Sequence, residues 1–156
     1  MYVKFDFLNR RIAAYVRRVQ KVSGLNSTLR DGKHAIFLDC DSCSERQLRA
    51  ELAVWLERWN LPRADYHSTG RPDGWHVYVW CRLDIQTAIR YACDFPFCDA
   101  AHLVWSFRRR HFTLRISEKA GRSVDWQGYV DGPARRESSI DDFCSYVRYQ
   151  TALHGE

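Results

Sequence analysis

Apolar positions recur along this chain at two spacings, and the switches between them mark out its elements. Between positions 4 and about 22, Phe5, Leu8, Ile12, Tyr15, Val16 and Val19 follow helical spacing while Arg10, Arg11, Arg17, Arg18 and Lys21 take the other faces. That pattern predicts an amphipathic helix with a basic side. SGLNSTLRDGK, with Gly24, Asn26 and Gly32, interrupts it and leads into HAIFLDCDS at 34–42. There the period drops to two, sending Ile36, Leu38 and Cys40 to one face of a strand and Phe37, Asp39 and Asp41 to the other. Ser44 and Gln47 then form a capping-box signature ahead of Leu48, Leu52, Trp55, Leu56 and Trp59, a helix that stops before Pro62.

RADYHST and WHVYVWCR flank a loop containing GRPDG, which predicts a hairpin over 63–82. Its second strand alternates Trp75, Val77, Val79 and Cys81, expected in the core, with His76, Tyr78 and Trp80 on the other face. Asp84 can cap a helix running to about Ala92. Residues 99–109 fit helix or strand, HFTLRIS reads as a strand, and Gly121–Glu137 reads as loop with a short strand near Trp126–Val130. Ser139 and Asp142 open a predicted last helix with Ile140, Phe143, Tyr146, Val147 and Gln150 on one face, and the HGE tail is expected to fray.

This order of elements predicts one α+β domain over 1–156: an RRM-like palm with a mixed or antiparallel sheet, helices on one face and an open catalytic face. No stretch has the roughly 18 apolar residues of a membrane span, and charges at Lys4, Asp6, Arg10 and Arg11 interrupt any signal-peptide run. A cytoplasmic protein without a membrane partner is the expectation. Lys and Arg total 24 against 19 Asp and Glu, a net charge of +5 that suits a polyanionic partner. Six cysteines without a secretion signal read as free thiols. Cys40 and Cys43, with Cys93 and Cys98, could make a zinc site on paper, although the second pair is loosely spaced.

The candidate chemistry gathers around the first strand. Asp39 and Asp41 share a face and repel unless a cation lies between them, so they either meet water at a strand end or hold a divalent metal through oxygen. His76 stands on a face of matching character, just after a loop in which Ser68, Thr69 and Gly70 can offer hydroxyls and backbone N–H groups to a phosphate. Arg108, Arg109, Arg110, Arg115 and Lys119 cluster within twelve positions, a solvated run or a set of phosphate ligands.

In these segments the sequence resembles the archaeo-eukaryotic primase superfamily of primase-polymerases. AIFLDCD resembles its apolar strand ending in DxD, with Asp39 and Asp41. STGRPDGWHVYV resembles its small-residue turn followed by a strand histidine, with Ser68 and His76, although Arg71, Pro72 and Asp73 lengthen the turn. CDAAHLVWSFRRRHFTLRIS resembles its acidic position followed by a basic segment, with Asp99, Arg109 and Arg115; Asp84 and Asp94 are alternative third carboxylates. The resemblance spans about 33–119 and implies a minimal core for template-directed nucleotidyl transfer in the replication or repair of a mobile element, plasmid or virus. It further implies two Mg²⁺ or Mn²⁺ ions on Asp39, Asp41 and Asp99, and nucleoside triphosphates bound by Ser68, His76, Arg109 and Arg115. A single-stranded or primed DNA template and a replication partner such as a helicase complete the expectation.

Two rivals share these residues. A catalytically inactive single-strand binding module with an RRM-like open face would stack bases on Phe37, Tyr78 and Trp80. A rolling-circle nickase would need two histidines flanking one apolar residue on a strand, and none of His34, His67, His76, His102 or His111 is paired in this way.

Overall fold

The computed structural model describes residues 2–7, 10–15, 19–143 and 146–152, with side chains described at 20–143, 147 and 148. In chain order the elements are β1 (Tyr2–Phe7), β2 (Arg10–Tyr15), β3 (Val19–Asn26), β4 (His34–Cys40), α1 (Glu45–Arg58), β5 (Ala64–Ser68) and β6 (Trp75–Leu83). They continue with α2 (Ile85–Cys93), α3 (Ala100–Arg109), β7 (Thr113–Arg115), β8 (Asp125–Val130), a 3₁₀ turn at Ile140–Asp142 and β9 (Tyr146–Ala152). This is an α+β fold. Among the described residues the strands form three antiparallel-paired sheets: β1–β2, β7–β3–β9 and β4–β6–β5–β8.

The four-stranded sheet carries the predicted centre. Since β4 and β5 both run antiparallel to β6, they run parallel to each other, joined by α1 with β6 inserted between them. This split β–α–β unit brings the end of β4, the end of β5 and the start of β6 to one edge. The capping box forms as read: Ser44 N–H donates to Gln47 Oε1 (3.0 Å), and Gln47 N–H donates to Ser44 Oγ (3.4 Å). Leu48, Leu52, Trp55 and Leu56 turn inward from α1. The Tyr66 hydroxyl donates to Glu45 (2.8 Å) and Trp75 Nε1 donates to the Cys43 carbonyl (2.9 Å), so α1 covers the face that holds Tyr66, Trp75 and Val77.

Three expectations are corrected. The segment 4–22 is not a helix, since its described residues form β1, β2 and the start of β3; Leu8, Val16, Arg17 and Arg18 of that reading lie outside the described residues. Val3, Phe5 and Phe7 alternate with Lys4 and Asp6, a period of two that a helical count over a short window also accommodates. The last helix stops after one turn: the Asp142 carboxylate accepts from Ser139 N–H (2.7 Å), but the chain then enters β9, paired with β3 through Tyr149↔Val22 and Val147↔Gly24. Alternation in YVRYQT and a waiting strand edge outweigh the local cap. The HGE tail lies outside the described residues.

The third correction concerns the open face. Phe37, Tyr78 and Trp80 are buried. The Phe143 ring centroid lies 5.5 Å from Phe37 and 6.0 Å from Trp80, Arg136 lies 4.4 Å over Trp80, and Glu137 and Ser138 N–H both donate to the Trp80 carbonyl. Trp80 Nε1 donates to Asp65, itself bound by Arg63. The sheet is therefore covered on both sides here, and Asp39, at the end of β4, is partly exposed. Among the described residues no helix is long and apolar enough to cross a membrane.

Candidate functional site

Register assembles the site. Asp39 stands directly opposite His76, and His76 directly opposite His67, so the three share one face in a row across β4, β6 and β5. Asp39 Oδ1 lies 3.7 Å from His76 Nε2. This contact is not an ion pair, because burial, the Arg115 guanidinium and two neighbouring histidines push the His76 pKa down to about 3. The imidazole is neutral, and its Nδ1 has no hydrogen-bond partner.

Asp39 is perturbed in the opposite sense. Burial first, then the charges of Asp41 and Asp99, raise its pKa to about 6 against the counter-pull of Arg71 and Arg115. The three acidic positions therefore converge electrostatically at the end of β4. Asp99 is placed by the backbone, its N–H donating to the Asp39 carbonyl (2.7 Å) while Asp41 N–H donates to the Phe97 carbonyl (3.3 Å). These two bonds make Cys40 and Cys98 a non-hydrogen-bonded antiparallel pair, with a carboxylate beside each. Asp99 also caps α3, accepting from Ala101 and His102 N–H. Asp84 and Asp94 are used elsewhere: Asp84 caps α2, and Asp94 accepts from Arg58 and Trp59.

Two environments meet at Asp39. On one side is a pocket of about 220 Å³, lined by Asp39, Asp99, His102, Trp105, Arg109 and His111 among others. His102 Nε2 donates to the Phe37 carbonyl (3.0 Å) and stacks on Phe112, which fixes the pocket floor. On the other side is a basic group. Arg71 contacts Asp41 at 3.2 Å, Arg115 donates to the Thr69 carbonyl (3.3 Å), and Lys119, held down in pKa by burial, lies within the fields of Arg115, Arg122 and Asp39. Thr69 Oγ1 is buried without a partner.

Of the sequence-predicted residues, the fold brings together Asp39, Asp41, Asp99, His76 and Arg115, and sets Arg109 in the pocket wall. Ser68 is not with them. It pairs with Trp75, on the face opposite His76, and its hydroxyl accepts from Gly70 N–H (3.2 Å). Thr69 and His67 occupy the positions expected of Ser68; counting back across the hairpin from His76 would have found His67. Arg71, part of the lengthened turn, supplies the cation nearest Asp41. Gly70 makes that turn possible, with φ of +76° and a position where an added Cβ would lie 2.8 Å from Arg122 Cβ.

The donors at the acidic edge suit a hard divalent cation in kind, being carboxylate oxygens whose mutual repulsion is registered in the raised Asp39 pKa. Asp41 is engaged by Arg71 and Asp99 by its cap, and among the described residues no three His, Cys, Asp or Glu side chains are grouped closely enough to hold a metal ion. Among the described residues the four cysteines of the paper zinc site are not grouped as metal ligands, with Cys93 exposed at the end of α2 and Cys43 buried. In comparisons with known proteins, no family model, curated protein or solved structure matches this chain.

Proposed function

We propose that this protein is a template-directed nucleotidyltransferase of the DNA primase or polymerase type, built on an RRM-like palm. The observation that carries the reading is the placement of Asp39: beside Asp41 and Asp99, opposite a neutral His76, and between a basic cluster and a small polar pocket. Joining nucleotides requires a hydroxyl and a triphosphate to meet at carboxylates, with positive charge on the triphosphate side. The split β–α–β unit supplies the edge on which such groups meet.

As placed, Asp39, Asp41 and Asp99 form no ready-made metal cluster among the described residues; with Arg71 withdrawn from Asp41, their carboxylates would close on Mg²⁺ or Mn²⁺, which when bound would lower the pKa of an attacking hydroxyl and neutralise phosphate charge. Arg115, Arg71 and Lys119 offer their charges to the phosphates of an incoming nucleoside triphosphate. His76 can donate a hydrogen bond there as a neutral imidazole, since burial holds its pKa down to about 3. Loss of the Arg71–Asp41 contact on nucleotide binding would free both partners, one for phosphate and one for the cation. The rival that stacks bases on Phe37, Tyr78 and Trp80 has no exposed ring to offer.

The test is primer extension on a short DNA template with Mg²⁺ or Mn²⁺. Wild type is expected to incorporate nucleotides, and Asp39→Ala and Asp41→Ala are expected to lose incorporation. An inert wild type, or variants as active as wild type, overturns the reading.

A further inference from the structure

Helix α3 leaves an unusual amount of apolar and aromatic surface uncovered. Val104 and Trp105 are each 51 % exposed and Phe107 is 70 % exposed, although core helices normally bury such residues. Basic residues surround them. The Arg108 and Arg109 guanidinium carbons lie 5.5 and 5.1 Å from the Trp105 ring centroid, and Arg110 and His111 follow directly. Trp105 and Arg109, one helical turn apart, line the same pocket as Asp39 and Asp99. At 1.5 Å per residue, the backbone of Trp105 lies roughly 9 Å along the helix axis from the Asp99 cap.

An indole held among guanidinium groups in water is a platform for a flat, π-faced group joined to an anion. A membrane surface would explain the apolar and basic groups, but it makes no use of the pocket that Trp105 and Arg109 line with the sheet edge. A protein partner would not need the indole to continue into a polar pocket. A nucleotide strand uses each part: a base on Trp105, its phosphates on Arg109 and Arg108, and the strand end directed to the acidic edge.

We propose that α3 is a single-stranded nucleic-acid rail, on which Trp105 stacks a base and Arg109 takes an adjacent phosphate of the strand whose end reaches Asp39 and Asp99. This rests on the nucleotidyl-transfer reading for what happens at the strand end, but strand binding itself requires neither metal nor turnover. Duplex DNA is excluded from Trp105, because its bases are stacked on one another and present only their edges.

The experiment measures fluorescence anisotropy of labelled 15-residue oligo-dT and oligo-U at low salt in EDTA, with a duplex competitor. Wild type is expected to bind at least one of the two single strands, and duplex is expected to compete poorly. Trp105→Ala is expected to weaken binding by at least about fivefold, the effect of losing one base–aromatic stack. Trp105→Phe should retain most of the affinity. Arg109→Gln is expected to weaken binding and to make its salt dependence shallower by nearly one phosphate contact. Trp126→Ala removes a similarly exposed indole from β8, at the sheet edge opposite β4, and should leave binding unchanged. Circular dichroism melts establish that each variant is folded.

No single-strand binding, equal competition by duplex, a Trp105→Ala variant that binds like wild type, or an equal loss in Trp126→Ala would each overturn the rail. Binding to anionic vesicles or self-association that depends on Trp105, in place of oligonucleotide binding, would also overturn it. Trp105-dependent binding without primer extension removes the enzyme reading and leaves the rail. Extension with Trp105-independent binding does the reverse.

Discussion

Replacing Asp39 by Asn should stabilise the protein in the absence of divalent cations, the opposite of what removing a structural carboxylate does. The folded-state pKa of about 6 stands above the ordinary 3.8, so the charged form is disfavoured by folding. The stability tied to this group is fully present below about pH 4 and is lost as pH rises through about 6. A shift of about two units corresponds to roughly 3 kcal/mol. The carboxylate is 37 % exposed, and solvent screening brings the net penalty at pH 7.5 to on the order of 1 kcal/mol. Urea denaturation in EDTA should show Asp39→Asn about 1 kcal/mol more stable than wild type at pH 7.5 and little different at pH 4. The matching rise in melting temperature is about 2–4 °C for a chain of this size. Adding Mn²⁺ or Mg²⁺ should then stabilise wild type more than the variant. If the variant is less stable than wild type at pH 7.5, Asp39 is a paired structural carboxylate and the reasoning from burial and neighbouring negative charge fails.

Three further outcomes follow from other features. The His76 imidazole, with a folded pKa near 3 against 6.5 unfolded, contributes stability above pH 6.5 that is lost as pH falls toward 3; NMR should find it neutral at pH 5, and titration above pH 6 would refute this. Gly70→Ala places a Cβ at positive φ and 2.8 Å from Arg122 Cβ, so chemical denaturation should show a loss of about 1–2 kcal/mol, and an unchanged midpoint would contradict the turn geometry. Cys40 and Cys98, as a non-hydrogen-bonded pair, have Cα atoms about 4.5 Å apart by ladder geometry, inside the range a disulfide spans. Diamide treatment under mild denaturant should link them in peptide mass maps, and persistent free thiols at both positions would count against the pairing.

The stretch from His34 to Ala92 was legible because local and tertiary signals agree there: alternation in β4 and β6, a true capping box at Ser44, and a caps-and-proline boundary for each helix. At the acidic edge the period of two sets the faces of Asp39 and His76, but the pairing of β4 with β6 that puts them opposite each other is non-local and is not written in either segment alone. Outside that stretch the signals conflict. The 4–22 segment satisfies helical and strand periods at once, and only pairing decides; Ser139 caps a helix that strand pairing of β9 with β3 cuts short. The open face was misjudged because alternation says which residues share a side, not what later chain lies over it, and Phe143 comes from more than a hundred positions beyond Phe37. Ser68 was misplaced by one residue, which in a strand exchanges faces.

The two backbone bonds that flank Cys40 and Cys98 tether the start of α3 to the tip of β4. Its other end is fastened too: two residues beyond Arg110, whose φ of 60° turns the chain back, Phe112 is buried and exchanges hydrogen bonds with Ser27. Held at both ends, the wall that carries Trp105 and Arg109 stands at a set distance from Asp39 and Asp99. A ligand laid along it is gauged by length.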